Sequence, residues 1–327
     1  MSVLERAVET GRLHHAYLFA GLEGVGKFQV AQSLAAVLNC ERRPEESFSE
    51  ACGRCSSCRK IGAQQHPDVL FVSPEGRNIK ISQIRTIQKA SMSAPFEGRF
   101  RVVLIDDAHT MTEEAANALL KTLEEPSKRM RLILVTDQPH RLLDTIISRC
   151  QLLRFGALEI DTVVELLRGL ATEGHIDDNA DAQSLLAVAA GYGEGSLGRS
   201  LSVLESGMLA ERRTFVADVL KVSAARPREL LDQAESIGKG NDRLHLQLDV
   251  LKLFFRDVML FQVSGAGRVI NRDLLDLVDE HAVRFGVDEV VQLVDEICQA
   301  QERLARNINA QLVIEDVLRR VDAAATR

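Results

Sequence analysis

Up to about residue 155, short apolar runs alternate with stretches in which apolar side chains recur every three or four positions. Five runs read as strands: Ala16-Tyr-Leu-Phe-Ala20, Val69-Leu-Phe-Val72, Val102-Val-Leu-Ile105, Leu132-Ile-Leu-Val135 and Leu152-Leu-Arg-Phe155. Between them the helical period predicts helices at about 26–38, 82–91, 112–124 and 142–148. Strand and helix taking turns predict a parallel sheet covered on both faces. Beyond residue 157 no strand pattern recurs. Helices are predicted there at about 161–173, 179–190, 196–205, 208–222, 228–237, 242–262, 273–284, 288–306 and 310–322, parted by breaks such as Gly174, Gly207, Gly240 and Gly286. Six of the seven prolines fall at or before Pro139, which marks the same change from α/β to all-helical sequence. In the helix at 242–262, Leu244, Leu248, Leu251, Phe254, Phe255, Val258 and Leu260 form a broad apolar stripe that reads by default as core.

With 327 residues the chain is long enough for about two domains at ~150 residues each. The net charge of −7 argues against clamping on nucleic acid through an overall field. Aromatic content of 4% with no Trp leaves few platforms for stacking bases. No apolar run reaches the ~18 residues of a membrane helix, and Glu5, Glu9, Arg12, His14 and His15 interrupt any signal-peptide pattern. The expectation is a cytoplasmic protein without a membrane partner, whose cysteines serve as metal ligands, thiols or core residues instead of disulfides.

Directly after the first strand comes Gly21-Leu-Glu-Gly24-Val-Gly26-Lys27-Phe28, followed by a helical pattern. Strand, glycine-rich turn and helix make the context of a P-loop, in which backbone N–H groups close around phosphates and Lys27 reaches the β- and γ-phosphates. The next position calls for a Ser or Thr hydroxyl on Mg²⁺, and here it is Phe28. The third strand runs into Asp106-Asp107-Ala-His109, a Walker-B pattern in which Asp106 would hold the metal. Asp107 stands where a longer Glu commonly polarises water, and a displacement of ~1 Å there can cost ~100-fold in rate. The expectation is weak or absent hydrolysis and defective Mg²⁺ ligation, with ATP binding left open through the backbone and Lys27.

Four cysteines, Cys40, Cys52, Cys55 and Cys58, are spaced for a tetrahedral four-sulfur zinc site of structural type, in a module at about 40–66. Cys150 and Cys298 lie in apolar contexts and read as core. Arg149 would stand at a domain edge, either projected toward a neighbour's phosphate or paired with its own helix dipole. Asp137 ends the fourth strand, as a polar sensor position or a plain turn residue. Ser196 reads as a helix cap. His14 and His15 read as packing or base-contact residues.

The P-loop, the four-cysteine insertion, His66-Pro-Asp-Val69, Asp106-Asp-Ala-His109, Asn117-Ala-Leu-Leu-Lys-Thr-Leu-Glu-Glu-Pro126 and Ser148-Arg149-Cys150 together resemble the bacterial clamp-loader AAA+ family, over essentially the whole chain. The resemblance implies an AAA+ P-loop domain at 1–156 with a zinc insertion, an all-α lid at 157–207 and an all-α collar for oligomerisation at 208–327. It implies a hetero-pentamer with gamma/tau and delta subunits that loads a sliding clamp onto primed DNA. Arg149 would be an arginine finger acting in a neighbour's site. Gly195-Ser-Leu-Gly-Arg199 is similar to a sensor-2 motif, with Arg199 either on nucleotide or in solvent. A stator without fast hydrolysis fits Phe28 and Asp107; a gamma/tau-type motor is the alternative.

Overall fold

The computed structural model describes residues 2–42, 50–172, 180–221, 227–238, 241–306 and 308–325. The expected breaks at Gly174 and Gly240, and the start of a helix at 179, lie outside them. The chain forms two compact units, Met1–Ala157 and Leu158–Arg327.

The first unit runs α1 (Ser2–Glu9), β1 (Ala16–Gly21), α2 (Lys27–Asn39), α3 (Ser56–Gly62), β2 (Val69–Val72), α4 (Ile81–Ser91), β3 (Arg101–Ile105), α5 (Glu113–Glu124), β4 (Met130–Thr136), α6 (Asp144–Ile147) and β5 (Gln151–Phe155). All five expected strands are present and join one sheet in the order β2-β3-β4-β1-β5. Every pairing is parallel; Leu18 of β1, for instance, aligns with Leu134 of β4 and Leu152 of β5. Successive strand side chains point to opposite faces, which explains two cores. Ala16, Leu18, Ile105, Leu132 and Leu134 pack with Ile84, Ile87, Leu119 and Leu123 of α4 and α5. On the other face Tyr17, Phe19, Leu104, Ile133 and Val135 pack with Leu4 and Val8 of α1 and with Ala31, Leu34 and Leu38 of α2. Parallel strands bring all their C-terminal ends to one edge, so the segments after β1, β3 and β4 converge there.

A buried polar device shapes the other end of β3. Asp68, fully buried, accepts the backbone N–H groups of Phe96, Glu97 and Gly98 at 2.7–2.8 Å and the Arg101 guanidinium at 2.9 Å. Asn39 bonds both the N–H and the carbonyl of Phe100. Burial by itself would raise the Asp68 carboxyl, but the three N–H donors and Arg101 outweigh it and hold it down to about 2.

The second unit holds α7 (Ile160–Thr172), α8 (Ala180–Gly193), α9 (Leu197–Glu205), α10 (Met208–Lys221), α11 (Pro227–Gly238), α12 (Asn241–Ser264), α13 (Leu275–Arg284), α14 (Val287–Ala305) and α15 (Ala310–Ala325). One cluster of buried apolar side chains runs from Val163 to Val321. The expected stripe of α12 is buried in it from Leu244 through Val258, while its last member, Leu260, is only partly buried. Cys298 corrects its expected core place: it is exposed, because Val290, Leu293, Ile297 and Ala300 make the buried face of α14 and the residue after Ile297 turns away. Cys150 is half-buried against the α5 face of the sheet, as expected, and burial pushes its thiol up to about 12.

Candidate functional site

β1 ends at Gly21, where an added Cβ would stand 2.1 Å from the Phe155 carbonyl oxygen, so the backbone of β5 leaves no room for a side chain. The loop then passes through left-handed Gly24 (φ 73) and Gly26 (φ 92) into α2. Lys27 opens that helix and is buried. Its Nζ donates to the carbonyl oxygens of Gly21 at 2.8 Å and Leu22 at 2.7 Å, so the ammonium lies across the loop. Burial lowers the Lys27 pKa, while the carboxylates of Asp137, Asp106, Glu23 and Asp107 oppose that shift. Gly21, Gly24, Gly26, Lys27, Asp106 and Asp107 thus meet at the C-terminal edge of the sheet.

Phe28 is half-buried in the α2-side core, its ring centroid 6.2 Å from that of Phe71 on β2. The position that should offer a hydroxyl is therefore an apolar plug between α2 and β2. Burial, then the adjacent Asp107 charge, push the Asp106 carboxyl above its ordinary value. A P-loop Mg²⁺ takes a hydroxyl ligand from the residue after the lysine beside the strand-end carboxylate, and Phe28 offers none. Asp107 takes a left-handed backbone (φ 45, ψ 45) and is exposed. Its carboxylate lies within 4.8 Å of donor atoms on His109 and Asp137. His109 Nδ1 is 3.3 Å from Asp137 Oδ1 and 3.2 Å from Thr136 Oγ1, so Asp137 answers to a histidine within its own unit. His109 stood in the quoted Asp-Asp-Ala-His run, yet its partner is a strand away and not readable from spacing.

Arg149 follows α6 and is partly exposed. Its Nη2 donates to Glu124 Oε1 at 2.7 Å and its Nη1 to the Thr145 carbonyl at 2.9 Å. Arg199 belongs to the second unit, with guanidinium nitrogens 3.6 Å from Glu194 and Asp249; Ser196 caps α9 through the Arg199 N–H at 3.1 Å. His14 takes a packing role: its backbone N–H donates to the Tyr17 hydroxyl and its Nδ1 meets the Ala16 carbonyl.

The four cysteines converge. Cys40 ends α2, Cys55 caps α3, Cys58 lies inside α3, and the sulfurs of all four, with Cys52, lie within 4.8 Å of one another. Tetrahedral zinc with Zn–S of ~2.3 Å requires sulfurs ~3.8 Å apart, which this set meets with little movement. The N–H groups of Cys55 and Cys58 point at the sulfurs of Cys52 and Cys55, each at 3.3 Å. Backbone N–H donors of Arg54 and Cys55 lower the Cys52 thiol to about 6, favouring the thiolate that binds metal. The group can therefore hold a soft divalent ion such as zinc.

The parallel sheet with its glycine loop, the cysteine insertion and the helical second unit define a AAA+ P-loop protein. The model of the family described as "DNA polymerase III, delta subunit" matches residues 1–159, and "DNA polymerase III, delta subunit, C terminal" matches 206–322. The delta' subunit of DNA polymerase III from Bacillus subtilis is 32% identical over 97% of this chain and 94% of its own length. The Escherichia coli delta' subunit is 29% identical over 98% and 92%. The Escherichia coli tau subunit is 38% identical, but over 63% of this chain and 31% of its own length. A solved gamma subunit-related protein of Thermotoga maritima aligns over 99% of both chains at 20% identity and a TM-score of 0.40. The chain belongs to the delta' family of DNA polymerase III subunits. No helix among the described residues is long and apolar enough to cross a membrane.

Proposed function

We propose that this delta'-family chain acts in the cytoplasm as the rigid stator of a clamp loader. There it would join gamma/tau and delta subunits in a hetero-pentamer that closes a sliding clamp on primed DNA. The observation that carries the stator reading is Phe28, packed toward Phe71 where a magnesium-binding hydroxyl is needed. Any ATP would be held by the loop N–H groups and Lys27, with Arg199 as a candidate further contact from a lid at 157–207. Residues 208–327 would form the collar, and zinc would fill the cysteine site. Arg149, always charged and on the surface, would lend its guanidinium to a phosphate in the neighbouring ATPase subunit.

The purified chain is expected to turn over almost no ATP. In a reconstituted complex Arg149→Ala is expected to lower turnover by more than about tenfold while assembly by size exclusion stays intact. Brisk turnover by the isolated chain, unaltered in Phe28→Thr, would overturn this reading in favour of a gamma/tau-type motor, which the likeness to tau makes the alternative.

A further inference from the structure

The guanidinium of Arg149 is gripped from two rigid elements of its own unit. Glu124 is the last residue of α5, whose Leu119 and Leu123 are locked in the sheet core. Thr145 lies one turn before Arg149 in α6, next to fully buried Ile146. Five N–H donors sit on a guanidinium; the bonds to Glu124 Oε1 (2.7 Å) and the Thr145 carbonyl (2.9 Å) leave three for another acceptor. Glu124 is half exposed, so the ion pair adds little to stability. Its larger effect is geometric, since a long, rotamer-rich side chain is confined before any phosphate arrives.

We infer that Glu124 is a positioning residue for Arg149, fixing the guanidinium fork so that it can meet a phosphate of the neighbouring subunit without a search. This inference rests on the finger role proposed above. The hydrogen bond does the positioning, while the negative charge of Glu124 opposes an approaching anion. A neutral acceptor of the same shape therefore suffices, and loss of the acceptor does not.

The test uses the reconstituted complex carrying wild-type chain, Glu124→Ala, Glu124→Gln, Arg149→Ala or the double variant Glu124→Ala/Arg149→Ala, with kcat and KM for ATP measured in each. Glu124→Ala is expected to lower kcat about tenfold, the scale of a mildly misplaced catalytic group, with KM unchanged. Glu124→Gln is expected to stay within about twofold of wild type, and Glu124→Ala should add nothing to Arg149→Ala, because coupled residues are not additive. A wild-type kcat in Glu124→Ala, equal losses in the alanine and glutamine variants, or a further loss in the double variant would each overturn the inference. Where Arg149→Ala lowers turnover and Glu124→Ala does not, Glu124 alone is excluded. Where Arg149→Ala itself leaves turnover unchanged, the finger role falls and the positioning role falls with it.

Discussion

Stripping the metal from the cysteine module, by a chelator or by Cys55→Ser, is expected to unfold α3 while the sheet remains. Ile61 is the main apolar anchor of α3, fully buried against the α2 side of the core. Burial of one such side chain contributes about 1.5–3 kcal/mol, whereas ordering the backbone costs about 1–2 kcal/mol per residue, and α3 alone has 7 residues. The bond from Gln32 Nε2 to the Ile61 carbonyl does not close that gap. A zinc ion in the proposed site, on the order of 10 kcal/mol in small zinc-folded peptides, would close it. Metal analysis should find one ion per chain, and hydrogen exchange from Cys52 to Gly62 should rise by orders of magnitude after removal, with the β-strands still protected. Undiminished protection of α3 in metal-free protein would refute this account.

A second large effect is expected at Asp68. Asp68→Ala removes the acceptor of three backbone N–H groups and leaves the Arg101 guanidinium, also largely buried, without its counter-charge. Breaking a buried pair from one side costs about 3–5 kcal/mol, to be read by urea unfolding near pH 7. The same carboxyl sets an acid limit. Its folded pKa of about 2 lies below the ordinary aspartate value of 3.8. Its contribution is therefore fully present above the unfolded value and disappears as pH falls from about 4 toward 2, amounting to about 2–3 kcal/mol at 1.4 kcal/mol per pKa unit. Asp68→Asn should show a flatter decline of stability over that interval than wild type. Identical slopes would show that the loop from Phe96 to Gly98 is held by something else.

Much of the first unit was legible because a strand buried on both faces needs an unbroken apolar run, and β1 to β4 have one. The glycines were legible too: only a residue without Cβ tolerates the approach of Gly21 to Phe155. Two helices were not. α1 spans only 8 residues, with Leu4 and Val8 as its buried pair. α3 begins at a cysteine whose sulfur accepts the Cys58 N–H, a cap hidden by the reading of that residue as a ligand. At the glycine loop, the missing hydroxyl at Phe28 was visible in the chain itself. Its packing toward Phe71, the approach of His109 to Asp137 and the grip of Glu124 on Arg149 join residues distant in sequence, and no local period encodes such meetings.

The Phe28–Phe71 packing also bears on any attempt to engineer a working motor from this chain. Installing threonine at position 28 swaps a ring for a branched stub and opens a void beside β2, so the added hydroxyl comes with a looser wall under the glycine loop. A hydroxyl at position 28 is then at least a two-position redesign, in which a bulkier neighbour for it has to be found together with it.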